Sequence, residues 1–288
     1  MTTTQPTRTS RWTPSTLRTG PSKADRGFLG HPRGLPWMLN VEMWERFSYY
    51  GMRAILLFFI TDNIANGGLG IDENTGAVIL AVYGAAVYLL SIPGGIFADR
   101  VIGPWRSTFY GGIVIMAGHI CLSIPIDSLA WAGIVLVAVG TGFIKPNLST
   151  IVGGLYDQGD PRRDTGFQLF YMSINVGAFA SPLVTGWLRE TYSYHAGFAA
   201  AAIGMAFALV AFVYGRSKLS AFAFDVPNPL RSDERDRLLL LSLGSAAGIG
   251  LVTWALYWIL GTLTDAIGYT VFVIALGASI AYFVIMFR

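Results

Sequence analysis

Residues 36–61, PWMLNVEMWERFSYYGMRAILLFFIT, form an apolar stretch long enough to cross a bilayer, yet Glu42, Glu45, Arg46 and Arg53 lie inside it. At about 100° per residue in a helix, Glu42, Arg46, Tyr49 and Arg53 fall within roughly 40–60° of one another, with Glu45 beside them. An ionisable side chain at mid-membrane costs about 2.5–3.5 kcal/mol on insertion scales. Four on one helix need each other, a wet cavity, or both, and such a stripe marks a transport or proton pathway. Contact with head groups at a helix end is the alternative for Glu42, close to Pro36. It does not serve Arg46 and Arg53, which lie progressively deeper on the same face.

The rest of the chain agrees with a membrane setting. Its 288 residues are 53% hydrophobic and 13% charged, whereas soluble domains carry about 25% charged residues. Runs such as 107–126 and 195–215 approach the about 20 residues a span requires. They are too long and evenly apolar for barrel strands. The expected fold class is therefore an all-α polytopic membrane protein. Spans are expected at roughly 36–61, 76–98, 107–126, 129–152, 165–188 and 195–215. A polar stretch with Pro227 and Pro229 follows at 216–234, then a pair of apolar helices at about 235–261 and 266–287. Residues 1–35, rich in Thr, Ser, Pro, Gly and Arg, are expected to be a disordered leader, not a signal peptide.

Lys and Arg set the orientation. Six lie in the leader, Arg100 and Arg106 follow the second span, Arg162 and Arg163 follow the fourth, and five lie between 216 and 237. The opposite side holds Arg189 with Asp62, Asp72, Glu73 and Asp127. The amino terminus is thus expected in the cytoplasm of a plasma-membrane protein. The net charge of +3 comes from cations at span ends, so it does not point to nucleic acid. Cys121 is the single cysteine, and His31, His119 and His195 lack ligand spacing, so no metal site is expected. No Ser/His/Asp set or phosphate loop occurs at usable spacing, which argues against an enzyme. His119 within a span is either a packing group or a proton relay.

Three further clusters carry chemistry. GGIFADRVIG at 94–103 joins small residues for close helix approach to charges at a helix end. It resembles the loop signature of the major facilitator superfamily, which uses it as a conformational latch; Gly95, Asp99 and Arg100 are the residues concerned. GTGFIKPNLST at 140–150 holds Lys145, the one lysine within a span, directly before a helix-bending proline. A buried ammonium there needs a carboxylate, and Glu42 and Glu45 are the carboxylates inside the apolar core; snorkelling to the interface is the alternative. FQLFYMSINVGAFASPLVTGW at 167–187 places Asn175 mid-span among small residues. Its amide can serve a polar ligand or a neighbouring helix.

Together, E-x-x-E-R-F-S-Y-Y-G at 42–51, the Asp-Arg loop, G-F-I-K-P-N at 142–147 and F-x-x-F-Y-M-x-I-N-V-G-A-F at 167–179 resemble the proton-dependent oligopeptide transporter (POT/PTR) family. The resemblance implies the amino-terminal six-helix bundle of a major-facilitator fold plus an extra two-helix hairpin. It implies symport of di- and tripeptides with protons, with no cofactor beyond the proton itself. Glu42, Glu45, Arg46 and Lys145 would couple protons. Tyr49, Tyr50, Arg53, Tyr88, Lys145 and Asn175 would bind the peptide. Family members have a second six-helix bundle. The chain stops at Arg288, so it reads as one half, with the other half, the substrate, protons and the lipid bilayer as partners. Another superfamily transporter, for nitrate or drugs, and a non-transporting remnant are the competing readings.

Overall fold

A computed structural model describes residues 24–262, 265–274 and 277; of the side chains, 232, 233, 235, 237–239, 241–243 and 246 lie outside that description. Six long helices follow one another: α1 (Leu35–Thr61), α2 (Glu73–Phe97), α3 (Pro104–Ser123), α4 (Asp127–Gly153), α5 (Arg162–Thr191) and α6 (Tyr194–Gly215). These fall where the hydropathy places the six spans. By length and composition, the helices Glu73–Ile102, Asp127–Gly153, Arg162–Thr191 and Tyr194–Lys218 can each cross a membrane. Local sequence sets the ends. Pro36 and Pro104 open α1 and α3 at first-turn positions, where a missing N–H costs nothing. Asp72 and Ser193 cap α2 and α6 by accepting from the backbone N–H of Thr75 and Ala196 at 3.0 and 3.2 Å.

The packing has an internal symmetry. Helix α1 rests on α5 and α6, while α4 rests on α2 and α3, and α3 meets α6. Exchanging α1–α3 for α4–α6 maps these contacts onto each other, as expected of two three-helix repeats within one bundle. The core lies along α1, where Met52, Ile55, Leu56 and Phe59 are fully enclosed together with Phe198 and Met205 of α6.

The segment between α6 and the next helix is more ordered than a polar linker. It makes two short 3₁₀ turns, Arg216–Lys218 and Ala221–Ala223. Leu219 and Ala223 are each 1% exposed, and Phe224 stacks on Trp105 at 5.6 Å. Aromatic burial draws this stretch onto the bundle; its polar composition had concealed the anchors. Helix α7 (Ser232–Leu260) follows, then α8 (Asp265–Ile274). The remainder of the expected second hairpin helix lies outside the described residues, as does the leader up to residue 23.

Residues 24–34 fold back on the loop between α4 and α5. Arg162 Nη1 donates to the carbonyls of Asp25 and Gly30, each at 2.8 Å. His31 Nδ1 meets the Tyr156 hydroxyl at 3.0 Å. Burial pushes that hydroxyl up to about 12 and, together with nearby Arg162, lowers the His31 imidazole from its ordinary value.

Candidate functional site

The charged stripe of α1 is enclosed at its start and open at its end. Glu42, Glu45 and Arg46 are 4%, 1% and 7% exposed. Arg46 Nε lies 2.9 Å from Glu42 Oε1 and 2.5 Å from Glu45 Oε2, so one guanidinium faces two carboxylates one turn and one residue away. These are charge contacts without hydrogen-bond alignment: among the described residues, both Glu45 oxygens and Arg46 Nε are buried with no hydrogen-bond partner. Gly177 of α5 lets this arrangement form. A Cβ at that position would fall 2.2 Å from the Met43 carbonyl oxygen and 3.1 Å from Arg46 Cβ, so α5 reaches α1 only through a residue without a side chain.

The next turns of α1 carry the tyrosines. Tyr49 is 5% exposed, beneath Arg46, whose Cζ sits 5.5 Å from its ring centroid. Tyr50 meets Tyr49 edge to face at 5.1 Å and is half-buried. Arg53 is exposed. Tyr49 therefore supports the stripe from within, and Tyr50 and Arg53 are the parts of it that a ligand can reach.

Lys145 sits otherwise than its carboxylate-seeking charge suggests. Its Nζ rests 3.4 Å from the centroid of the Tyr88 ring, a cation–π contact, and among the described residues no carboxylate is within 4.0 Å of it. The physical reason is proximity along the chain: Arg46, on the same helix as both glutamates, already occupies them. Lys145 is brought to Tyr88 by the crossing of α2 and α4. Pro146 lacks an N–H, which leaves the Gly142 carbonyl without its helical partner. Gly94 of α2 lies against that carbonyl so closely that a Cβ would stand 2.3 Å from the oxygen. Tyr88 is 62% exposed, so the Lys145–Tyr88 pair borders open space.

Asn175 is exposed on α5, and its Nδ2 donates to the Tyr171 carbonyl of its own helix at 3.0 Å. The bond it makes stays within its own helix and does not cross to a neighbouring one. The loop after α2 forms a π-helical turn, Ala98–Ile102, that ends at Gly103 with φ of 83°. There the Asp99 and Arg100 carbonyls accept from Asn228 N and Leu230 N at 2.9 and 3.0 Å, and Arg100 pairs with Glu234 of α7. Gly95 faces Pro146.

Beside the stripe the structure gives His119 a partner and adds a buried tyrosine, Tyr83, that the sequence reading missed. Ser48 Oγ meets His119 Nε2 at 2.7 Å, both side chains fully enclosed, which makes His119 a bridge from α3 to the back of α1. Tyr83 stacks on Tyr49 with centroids 6.4 Å apart and is 3% exposed. A hydroxyl in an otherwise apolar span was the available signal for Tyr83.

Residues 106–236 match the family model described as PTR2, the POT family. An uncharacterized transporter, YclF, of Bacillus subtilis (strain 168) is 45% identical over 273 residues, covering 92% of this chain and 54% of the relative. A di-/tripeptide transporter of Lactococcus lactis subsp. lactis (strain IL1403) is 44% identical over 223 residues, covering 76% of this chain and 45% of the relative. Among solved structures, a POT peptide transporter in complex with sulfate superposes with TM-score 0.82 at 43% identity, covering 95% of this chain and 55% of that one. A POT family transporter in complex with a thioalcohol-conjugated peptide does so with TM-score 0.85 at 41% identity, covering 95% and 56%. The chain is a multi-pass membrane protein with a POT family match at 106–236 and is similar to POT transporters over most of its length, and it spans about half the length of the curated relatives it matches.

Proposed function

We propose that this chain forms the amino-terminal bundle of a proton-coupled symporter of di- and tripeptides in the plasma membrane, with its amino terminus in the cytoplasm. The single observation that carries this reading is the enclosed Glu42–Arg46–Glu45 cluster lying beside an open row of peptide-sized recognition groups. Acids buried against one guanidinium are a place to store a proton. Arg53, the Lys145 ammonium, Tyr50, Tyr88 and Asn175 offer the charges and hydrogen bonds that a peptide carboxylate and amide backbone require. The names of the relatives and of the peptide-bound structure support the same substrate class.

In this mechanism, protonation of a glutamate weakens its hold on Arg46 and changes the field at Lys145, which leaves the Tyr88 ring for the peptide carboxylate. A peptide and a proton then load together. A second six-helix bundle supplies the opposing wall, because alternating access needs two bundles rocking about a shared site. The π-helical turn with Gly95, Asp99 and Arg100 acts as the latch between the states. The orientation rests on the cations gathered on the leader's side.

Liposomes holding the chain together with a co-produced second bundle should take up dialanine when an inward proton gradient is imposed. Lys145→Ala and Glu45→Gln should each abolish driven uptake. Unchanged coupled uptake in both variants would sink the proposal.

A further inference from the structure

Tyr83 poses a hydrogen-bonding question that the site as described leaves unanswered. Its hydroxyl is buried without a hydrogen-bond partner among the described residues. Such a group carries a desolvation penalty while it stays unserved. On one side of the residue lies a cleft of about 380 Å³ between α2 and α4, walled near Tyr83 by Ile79, Val82, Ala86 and Leu90, none of which offers a side-chain acceptor. On the other side the ring stacks on Tyr49, and Glu45, Arg46 and Arg53 are the charged groups within electrostatic reach. Arginines only donate. Glu45 is the one acceptor among these charged groups, and among the described residues both of its carboxylate oxygens are buried without a hydrogen-bond partner. A buried donor without a hydrogen bond thus stands within electrostatic reach of a buried carboxylate whose Oε1 has neither a hydrogen bond nor the ion pair that Oε2 makes with Arg46.

We infer that Tyr83 is a further positioning residue of the proton site: its hydroxyl serves the Glu45 carboxylate, directly or through one water, while its ring holds Tyr49 under Arg46. This rests on the proton-coupling reading of the α1 stripe and adds a member from α2. The pairing gives the two partners of Glu45 different duties. Arg46 neutralises its charge, and Tyr83 fixes the direction in which its oxygens point. A carboxyl that exchanges a proton during each cycle needs both.

The contact can be read on the purified chain in lipid nanodiscs by infrared spectroscopy. Subtracting the Tyr83→Phe spectrum from that of the parent isolates the C–O stretch of the Tyr83 hydroxyl, and the phenylalanine keeps the ring stack. That band should move in Glu45→Gln and stay in place in Glu42→Gln. A band unmoved by Glu45→Gln, or moved equally by both, overturns the inference. A band that answers to Tyr49→Phe and not to Glu45→Gln assigns the hydroxyl to Tyr49 and overturns it as well. In liposomes with a second bundle, Tyr83→Phe should lower proton-driven dialanine uptake about tenfold, the weight of one hydrogen bond to a charged group. If the band moves but the parent assembly takes up no dialanine, the transport reading falls and the Tyr83–Glu45 contact stands.

Discussion

Arg100 Nη2 lies 2.6 Å from Glu234 Oε2, tying the turn after α2 to the first turn of α7 across the fold. The same carboxylate oxygen accepts from Arg231 N at 3.2 Å, and two backbone bonds from 228 and 230 to 99 and 100 run beside the pair. The loop expected to work as a latch is thus held by the segment that leads into the extra helices.

Glu234→Ala should loosen that segment more than it destabilises the bundle. A partly exposed ion pair contributes about 0–1 kcal/mol. Trypsin cleavage after Arg231 should quicken severalfold, with little change in the thermal unfolding of the whole. Exchanging the charges, Arg100→Glu with Glu234→Arg, should restore resistance. Equal cleavage rates in all three proteins would count against the tether.

Arg46→Ala should be strongly destabilising, because it leaves two buried carboxylates facing each other without a cation. Breaking one side of a buried ion pair costs about 3–5 kcal/mol. Thermal unfolding in detergent would report the loss. Adding Glu42→Gln and Glu45→Gln to Arg46→Met should recover a large part of it.

Gly177→Ala should separate α5 from α1, since the new methyl would stand 2.2 Å from the Met43 carbonyl oxygen. Backbone on both sides leaves the clash nowhere to relax, and overpacking of this kind costs about 1–3 kcal/mol. A spin-label pair on α1 and α5 should report the widened gap. An unchanged distance would contradict the close approach.

Tyr88→Leu should free the Lys145 ammonium, whereas Tyr88→Phe should hold it, because the ring centroid lies 3.4 Å from the Nζ. Cation–π contacts are worth about 0.5–2 kcal/mol. Lys23 and Lys218 are the other lysines, so a background with both changed to arginine isolates Lys145 for amine labelling. Labelling should rise several-fold in the leucine variant and stay near parent in the phenylalanine variant.

The fold of residues 24–34 onto the 4–5 loop should weaken in acid. Burial, then Arg162, lowers His31 from its ordinary value of 6.5, so the folded form favours the neutral ring. Its contribution is full above that value and is lost as pH falls below it through the lowered value. Asp160 and Tyr156 face the same ring, and Asp160 opposes the shift. Hydrogen exchange at the amides of Phe28 and His31, corrected for intrinsic rates, should accelerate below about pH 6.5, and His31→Gln should flatten that dependence.

Much of this molecule was legible from residue order alone. The six helices follow from apolar runs bounded by Pro36, Asp72, Pro104 and Ser193, because length and capping are local properties. The α1 stripe was equally legible: a helix turns by a fixed angle, so Glu42, Glu45 and Arg46 had to share a face. The partner of Lys145 was not. Charge alone pointed to a glutamate, but Arg46 of the same helix already occupies both, and what Lys145 meets instead depends on how α2 crosses α4. Tyr83 looked like an ordinary span residue, and His119 stood open between packing and proton relay, since nothing in their neighbours' identities says which helix a hydroxyl or an imidazole will face.

By itself, the sequence determined a membrane-embedded helical bundle with ionisable groups aligned along its first helix, because hydropathy, helical period and capping act over a few residues. Tertiary structure alone decided the longer-range pairings: Lys145 on Tyr88, Tyr83 against Tyr49 and Arg100 with Glu234. Those depend on how closely helices far apart in the chain can approach. Gly94 at the freed carbonyl of Gly142 and Gly177 at Met43 set that approach, and the contacts they allow are long-range ones that no local pattern encodes.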